Sequence, residues 1–221
     1  DVITDPSNDL DVVGLQEARQ GQQDKLMESG FLGGKYGVYP KTTNGSDFSP
    51  NPVIFKSDKY EIVEAGSKKF NIDYDGQIRD VAVQVKLKEI NCDVCAEFYY
   101  INTHDPAGVR GGNDATRSAN SRIYVERIRE LSREKIPIFL TGDFNSSYTM
   151  GGNQKPYQNK AQNLTYCVIS SGGVMKNVWD IFQKKQFNCP RSSVPGGAPI
   201  DHIYTANTDG VKKVWTAPDH R

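Results

Sequence analysis

Distant segments of this chain share one design, an apolar run of aromatic and branched residues that stops at a short cluster of acids, amides or imidazoles. The clusters are Leu15-Gln16-Glu17, Asn102-Thr103-His104, Gly142-Asp143-Phe144-Asn145, Ile200-Asp201-His202-Ile203 and Asp219-His220. The runs at residues 96–101 (AEFYYI) and 136–140 (IPIFL) read as buried strands. A sheet lays such segments side by side and exposes their ends at one rim, so the polar ends can converge on one pocket. The chain is therefore expected to build a sheet whose edge carries chemistry.

The spacing inside the clusters points the same way. Asn102 and His104 are two residues apart, as are Asp143 and Asn145. Side chains alternate faces along a strand, so each pair is expected to project to one side. The rest of the chain alternates strands and helices. Residues 12–17 read as a strand and residues 18–29 as a helix, before a Gly-, Asn- and Ser-rich connection through Pro50. Strands are expected over 51–56, 60–65 and 80–88. In the last, Val81, Val83, Val85 and Leu87 alternate with Ala82, Gln84 and Lys86, the pattern of a sheet with one solvated side. Ala119, Ile123, Ile128 and Leu131 mark an amphipathic helix over 114–134. A second helix is expected over 160–170, then an apolar stretch over 174–182 and strands over 200–205 and 211–215.

Taken together, the clusters resemble the endonuclease/exonuclease/phosphatase superfamily, which includes deoxyribonuclease I, apurinic endonucleases, sphingomyelinases, inositol-polyphosphate phosphatases and deadenylases. All five occur in that family's order, from about Leu10 to the last residue, and the pattern is closest to an uncharacterised bacterial-type member. The resemblance implies a four-layer α/β/β/α sandwich of two mixed, mainly antiparallel sheets flanked by helices. It implies a metal-dependent hydrolase, with Mg2+ as the cofactor and Mn2+ or Ca2+ as substitutes.

It also implies roles. Glu17 corresponds to the metal-binding glutamate, a hard oxygen donor suited to a cation that keeps several waters, and Asp219 would sit at the metal or hold the attacking water. His220 corresponds to the catalytic histidine, oriented by Asp201. Asp143 and Asn145 would contact the attacking water and the phosphate oxygens, and His104 would donate a hydrogen bond or proton to the phosphoryl group. Loops over 105–113, 146–159 and 188–199 flank the clusters and carry Arg110, Tyr148 and Arg191 as candidate substrate contacts. Arg117 matches an arginine seen after the histidine motif in bacterial relatives.

Each residue has a plainer reading. Glu17 also suits a helix start, Asp143 and Asn145 a turn, and His104 the loop before Asp105-Pro106. Arg117 equally suits helix packing. His202 lies on the opposite strand face from Asp201, so packing is its expected role. Asp219 and His220 sit at the terminus, where chains fray.

Two departures from the family pattern stand out. Only 16 residues precede Glu17, too few for the family's first strand and its asparagine, and the family continues past its final Asp-His with another strand. Residues 1–221 are thus expected to be a single domain lacking the family's first and last strands, a trimmed piece of a longer protein.

Composition narrows the function. Lys plus Arg and Asp plus Glu balance at 27 each, so no strong basic field advertises nucleic acid. No apolar run approaches the roughly 20 residues of a membrane helix. Cys92, Cys95, Cys167 and Cys189 admit two local disulfides, free thiols or, for Cys92-Asp93-Val94-Cys95, zinc. Disulfides and the polar composition favour a secreted or extracytoplasmic location, with the cytoplasm as alternative. Asn44-Gly45-Ser46 and Asn163-Leu164-Thr165 fit the glycosylation sequon.

The function expected is hydrolysis of a phosphodiester in nucleic acid, a lipid headgroup or a similar ester, by a monomer. The alternatives are a phosphomonoesterase and a non-catalytic binding module on the same scaffold. The full set of acids, amides and histidines argues against the module, which has no chemical need of it.

Overall fold

The computed structural model describes Ile3, Asp5 and residues 8–28, 32–40, 49–68, 82–92, 97–106, 113–146, 165–182 and 201–208. Nine strands and four α-helices are formed among them. Strands β1 (Val12–Gly14), β2 (Tyr36–Tyr39) and β3 (Val53–Lys56) make a small antiparallel sheet in the order β1-β3-β2. Strands β4 (Tyr60–Lys68), β5 (Ala82–Glu89), β6 (Glu97–His104), β7 (Ile138–Asp143), β8 (Lys176–Asn177) and β9 (Asp201–Ala206) make a larger one, in the order β4-β5-β6-β7-β9-β8. The mixed, mainly antiparallel α/β sandwich expected from the sequence is the fold that forms.

Two cores hold the layers. Val53 and Phe55 of the small sheet pack against Val83, Val85 and Leu87 of β5, closing one sheet on the other. On the opposite face of the large sheet lie α2 (Asn113–Leu131) and α3 (Thr165–Ser171), whose Tyr124, Ile128, Leu131, Tyr166 and Ile169 meet Tyr99, Ile101, Ile138, Leu140 and Tyr204. Full burial of such aliphatic side chains stabilises by about 1.5–3 kcal/mol each. A short helix, α1 (Gln20–Leu26), is tied down by buried Gln23, whose Nε2 donates to Ala18 O and Ser49 O. The remaining helix, α4 (Val178–Phe182), follows β8 directly, so the stretch 174–182 divides into a short strand and a short helix.

The parallel pair β6/β7 fixes where the chemistry can be. Parallel neighbours need a crossover, and α2 provides it. Both strands then end at the same edge of the sheet, and β9, antiparallel to β7, begins there.

Three expectations need correction. The strand of residues 12–17 stops at Gly14, because Glu17 turns the chain with φ of 57°. The Ala82 and Gln84 face of β5 is covered rather than solvated, since α2 lies over it and Arg127 Nε donates to Gln84 Oε1 at 3.0 Å. The buried stripe of α2 runs through Arg117, Asn120, Ser121, Tyr124, Ile128 and Leu131, with Ala119 and Ile123 only partly covered. The expected strand over 211–215 lies outside the described residues.

Candidate active site

His104, Asp143 and Asp201 form one row across the ends of three adjacent strands. His104 is in register with Asp143, and Asp143 with Asp201. Registered residues share a sheet face, so the three side chains stand together at the rim. His104 and Asp143 are the last residues of β6 and β7, whereas Asp201 is the first of β9. His104 Nε2 lies 3.9 Å from Asp143 Oδ2, with the two side chains 12% and 23% exposed.

Asn145 joins this row by a turn. It follows the end of β7 with φ of 46°, a conformation asparagine tolerates better than most residues. Its backbone N–H donates to Asp143 Oδ1 at 2.8 Å. Its amide Nδ2 lies 3.1 Å from His104 Nε2 and donates to Asp105 O at 2.8 Å. Gly142-Asp143-Phe144-Asn145 is thus a turn, and the turn brings Asn145 to His104 beside Asp143. Gly142 is required by close approach, since a Cβ there would collide with the Thr103 carbonyl.

Asn102 points the same way as His104 but sits deeper, fully buried between the sheets. Its Nδ2 donates to Leu15 O, Asn51 O and Pro52 O, and its Oδ1 accepts from Gln16 Nε2 at 2.6 Å. This amide fastens the segment carrying Glu17 to β6, two residues before His104. Glu17 itself is exposed. Among the described residues no three His, Cys, Asp or Glu side chains close a metal cage by themselves.

The electrostatics favour a cation at this rim. The Asp201 carboxyl is raised above its usual value because the surrounding protein removes part of its hydration and Asp143 adds like charge, while His104 opposes the shift. Asp105, directly after His104, is pushed up to about 7 by burial, with a smaller contribution from Asp143. Hydrogen bonds from Asn120 and Tyr124 and the charge of Arg117 pull it back. Asp143 and Asp201, carboxylates held side by side against their like charge, are oxygen donors of the kind a hard divalent cation prefers, and Mg2+ needs only one or two.

His202 has the packing role expected of it. It is 4% exposed, packs against Phe144 and Tyr204, and its Nε2 is 3.0 Å from Ser146 O. Burial lowers its pKa to about 4.

Arg117 differs from the expected substrate contact. It is 1% exposed and donates from Nη1 to Pro106 O at 2.6 Å, so it holds the chain leaving β6 from inside. Asp219, His220, Arg110, Tyr148 and Arg191 lie outside the described residues. Asp105, Asn120 and Tyr124 were not singled out from the sequence, and only their burial distinguishes them from ordinary polar residues. Cys92 and Cys167 are each disulfide-bonded, which leaves no free thiol among the described cysteines.

A sequence model of the Endonuclease/Exonuclease/phosphatase family matches residues 1–220. The chain belongs to that family. Its members are hydrolases of phosphoester bonds, and this chain's row of His104, Asp143 and Asp201 stands on the family's fold. The fold is shared with an endonuclease/exonuclease/phosphatase family protein of Bacteroides thetaiotaomicron, 21% identical with a TM-score of 0.61, over 90% of this chain and 69% of that one. The mannosyl-6-phosphatase Bt3783 of Bacteroides thetaiotaomicron is 20% identical with a TM-score of 0.59, over 90% and 72% of the two chains. TDP2 of D. rerio, solved with a single-strand DNA product, is 16% identical with a TM-score of 0.58, over 93% and 73%. No curated protein matches the chain in sequence.

Proposed function

We propose that this family member is a divalent-metal-dependent phosphodiesterase that hydrolyses its substrate by in-line attack of water. The observation that carries the reading is the row of His104, Asp143 and Asp201, with Asn145 turned into it, at the edge where β6 and β7 both end. Asp143 is placed to accept a hydrogen bond from the attacking water and draw off its proton. His104 would present a ring N–H to a phosphoryl oxygen, where charge grows in the transition state, and Asn145 would hold that ring in place. Glu17 would hold Mg2+, with Asp219 beside it, and the bound cation would neutralise phosphate charge. Asp201 keeps the role of orienting His220.

A monoester is the second reading, supported by the fold shared with a mannosyl-6-phosphatase. The disulfides at Cys92 and Cys167 support an extracytoplasmic location for the working enzyme.

The test is hydrolysis of a chromogenic phosphodiester and its matching monoester with and without Mg2+, alongside calorimetric titration of Mg2+. Wild-type protein should bind the ion and turn over the diester, Glu17→Ala should lose both properties, and His104→Ala should lose turnover alone. Faster monoester cleavage would establish the second reading. Absence of both metal binding and turnover from folded wild-type protein would refute the enzyme and leave the binding module.

A further inference from the structure

We infer that Asp105 is a positioning residue, whose backbone carbonyl, locked in place by its carboxylate, fixes the orientation of the Asn145 amide and through it the tautomer of His104. This rests on the reading of His104 as a site residue and adds a determinant of its protonation pattern.

Asp105 is fully buried and held from three directions. Its N–H donates to Asp143 O at 2.9 Å, which continues the β6/β7 pairing by one residue. Its Oδ1 accepts from Asn120 Nδ2 and from Tyr124 OH, each at 3.0 Å, so α2 grips the side chain. The next residue is clamped by the same helix, through Arg117 and the Pro106 carbonyl. The Asp105 carbonyl, left with little freedom, accepts from Asn145 Nδ2 at 2.8 Å.

That last bond decides the rest. A carbonyl only accepts, so the Asn145 amide must turn its nitrogen, not its oxygen, toward Asp105. The opposite orientation would set two oxygens against each other with no hydrogen between them. An amide nitrogen carries two hydrogens, and the one left over points at His104 Nε2, 3.1 Å away. Nε2 must then be the acceptor, which puts the proton of the neutral ring on Nδ1. The imidazole is held in one orientation and one tautomer before substrate arrives, the kind of preorganisation on which a precise site depends.

His202 supplies an internal reference of opposite sign. Its Nε2 faces the Ser146 carbonyl, so its proton belongs on Nε2.

The experiment is long-range proton–nitrogen NMR of the imidazole rings in wild type, Asp105→Ala, Asp105→Asn and Tyr124→Phe, with kcat and KM for the preferred phosphoester; a His104→Gln sample assigns the signals. Wild type should show His104 protonated on Nδ1 and His202 on Nε2. Asp105→Ala should mix the His104 tautomers, leave the His202 pattern intact, and lower kcat about 10- to 100-fold with KM within about twofold, the range for loss of an orienting partner. Asp105→Asn, which keeps an acceptor oxygen for Asn120 and Tyr124, should recover most of that loss, and Tyr124→Phe should fall between the two. A wild-type His104 protonated on Nε2 would overturn the inference, as would Asp105→Ala with unchanged tautomer and unchanged kcat. Should Asp105→Ala fail to fold, a Tyr124→Phe protein that matches wild type in both readouts would overturn it. Wild-type protein with neither metal binding nor turnover would refute the phosphoesterase, while the NMR result would still decide this proposal.

Discussion

The two buried titratable groups flanking the site should pull acid stability in opposite directions, and replacing one should expose the other. His202 is 4% exposed and its pKa is lowered to about 4 from 6.5, mainly by burial and against the hydrogen bond to Ser146. The unfolded chain therefore takes up a proton that the folded chain refuses. Stability linked to His202 is complete above the unfolded value of 6.5 and is lost as pH falls toward 4. From about pH 7.5 to about pH 4.5 that loss is about 2.5 kcal/mol. Asp105 is fully buried with its pKa raised to about 7 from 3.8, again chiefly by burial. Its contribution is complete below 3.8 and lost as pH rises through about 7. The same acidification gains about 3 kcal/mol from it. In wild type the two terms nearly cancel. The assay is urea unfolding near both pH values for wild type, His202→Gln and Asp105→Asn. All other carboxylates are common to the three proteins and drop out of the comparison. On acidification His202→Gln should gain about 2.5 kcal/mol relative to wild type, and Asp105→Asn should lose about 3 kcal/mol. A His202→Gln protein whose pH response matches wild type within about 0.5 kcal/mol would refute the buried, neutral histidine.

Two further outcomes follow from packing and covalent structure. An alanine at Gly14 would drive its Cβ into Asn102 Oδ1 and to 2.7 Å from Thr141 Oγ1. Overpacking there should destabilise by about 1–3 kcal/mol, or about 2–12 °C in Tm by calorimetry, and an unchanged Tm would show that the sheets separate freely at this point. Reducing the disulfides of Cys92 and Cys167 should cost about 2–4 kcal/mol each, read as a drop in urea midpoint with added reductant, and an unmoved midpoint would remove the support for an oxidising compartment.

The fold was most legible where apolar residues run without interruption. Residues 98–101 (FYYI) and 138–140 (IFL) are apolar on both faces, which only a strand covered on both sides allows, and both are strands of the large sheet. Position 84 was misread because alternation of apolar and polar residues normally means one solvated face. Gln84 is instead covered, and Arg127 satisfies it from α2. Local sequence does not encode that long-range pairing. Asn102 shows the same difficulty from the other side. It was grouped with His104 as a site amide, and its alternation is right, but a polar side chain one strand pitch below the rim is between sheets. There it serves Leu15, Asn51 and Pro52 instead of a substrate.

The hidden part of the site has a physical origin that explains why it is polar. Where β6 and β7 stop, their backbone groups leave the ladder while still buried, and unpaired buried groups are costly. The first half of α2 meets this need with Arg117 for the Pro106 carbonyl, and its Asn120 and Tyr124 satisfy the buried carboxylate of Asp105. The second half, over strand interiors that are already paired, is free to be apolar, and Val125, Ile128 and Leu131 fill it. Leucines at 117 and 120 would strengthen the helix's apolar periodicity while removing these partners. The polar stripe that weakens the helix signal is therefore the support of the rim. The same residues that move the buried stripe away from Ala119 and Ile123 hold the edge that carries His104, Asp143 and Asn145.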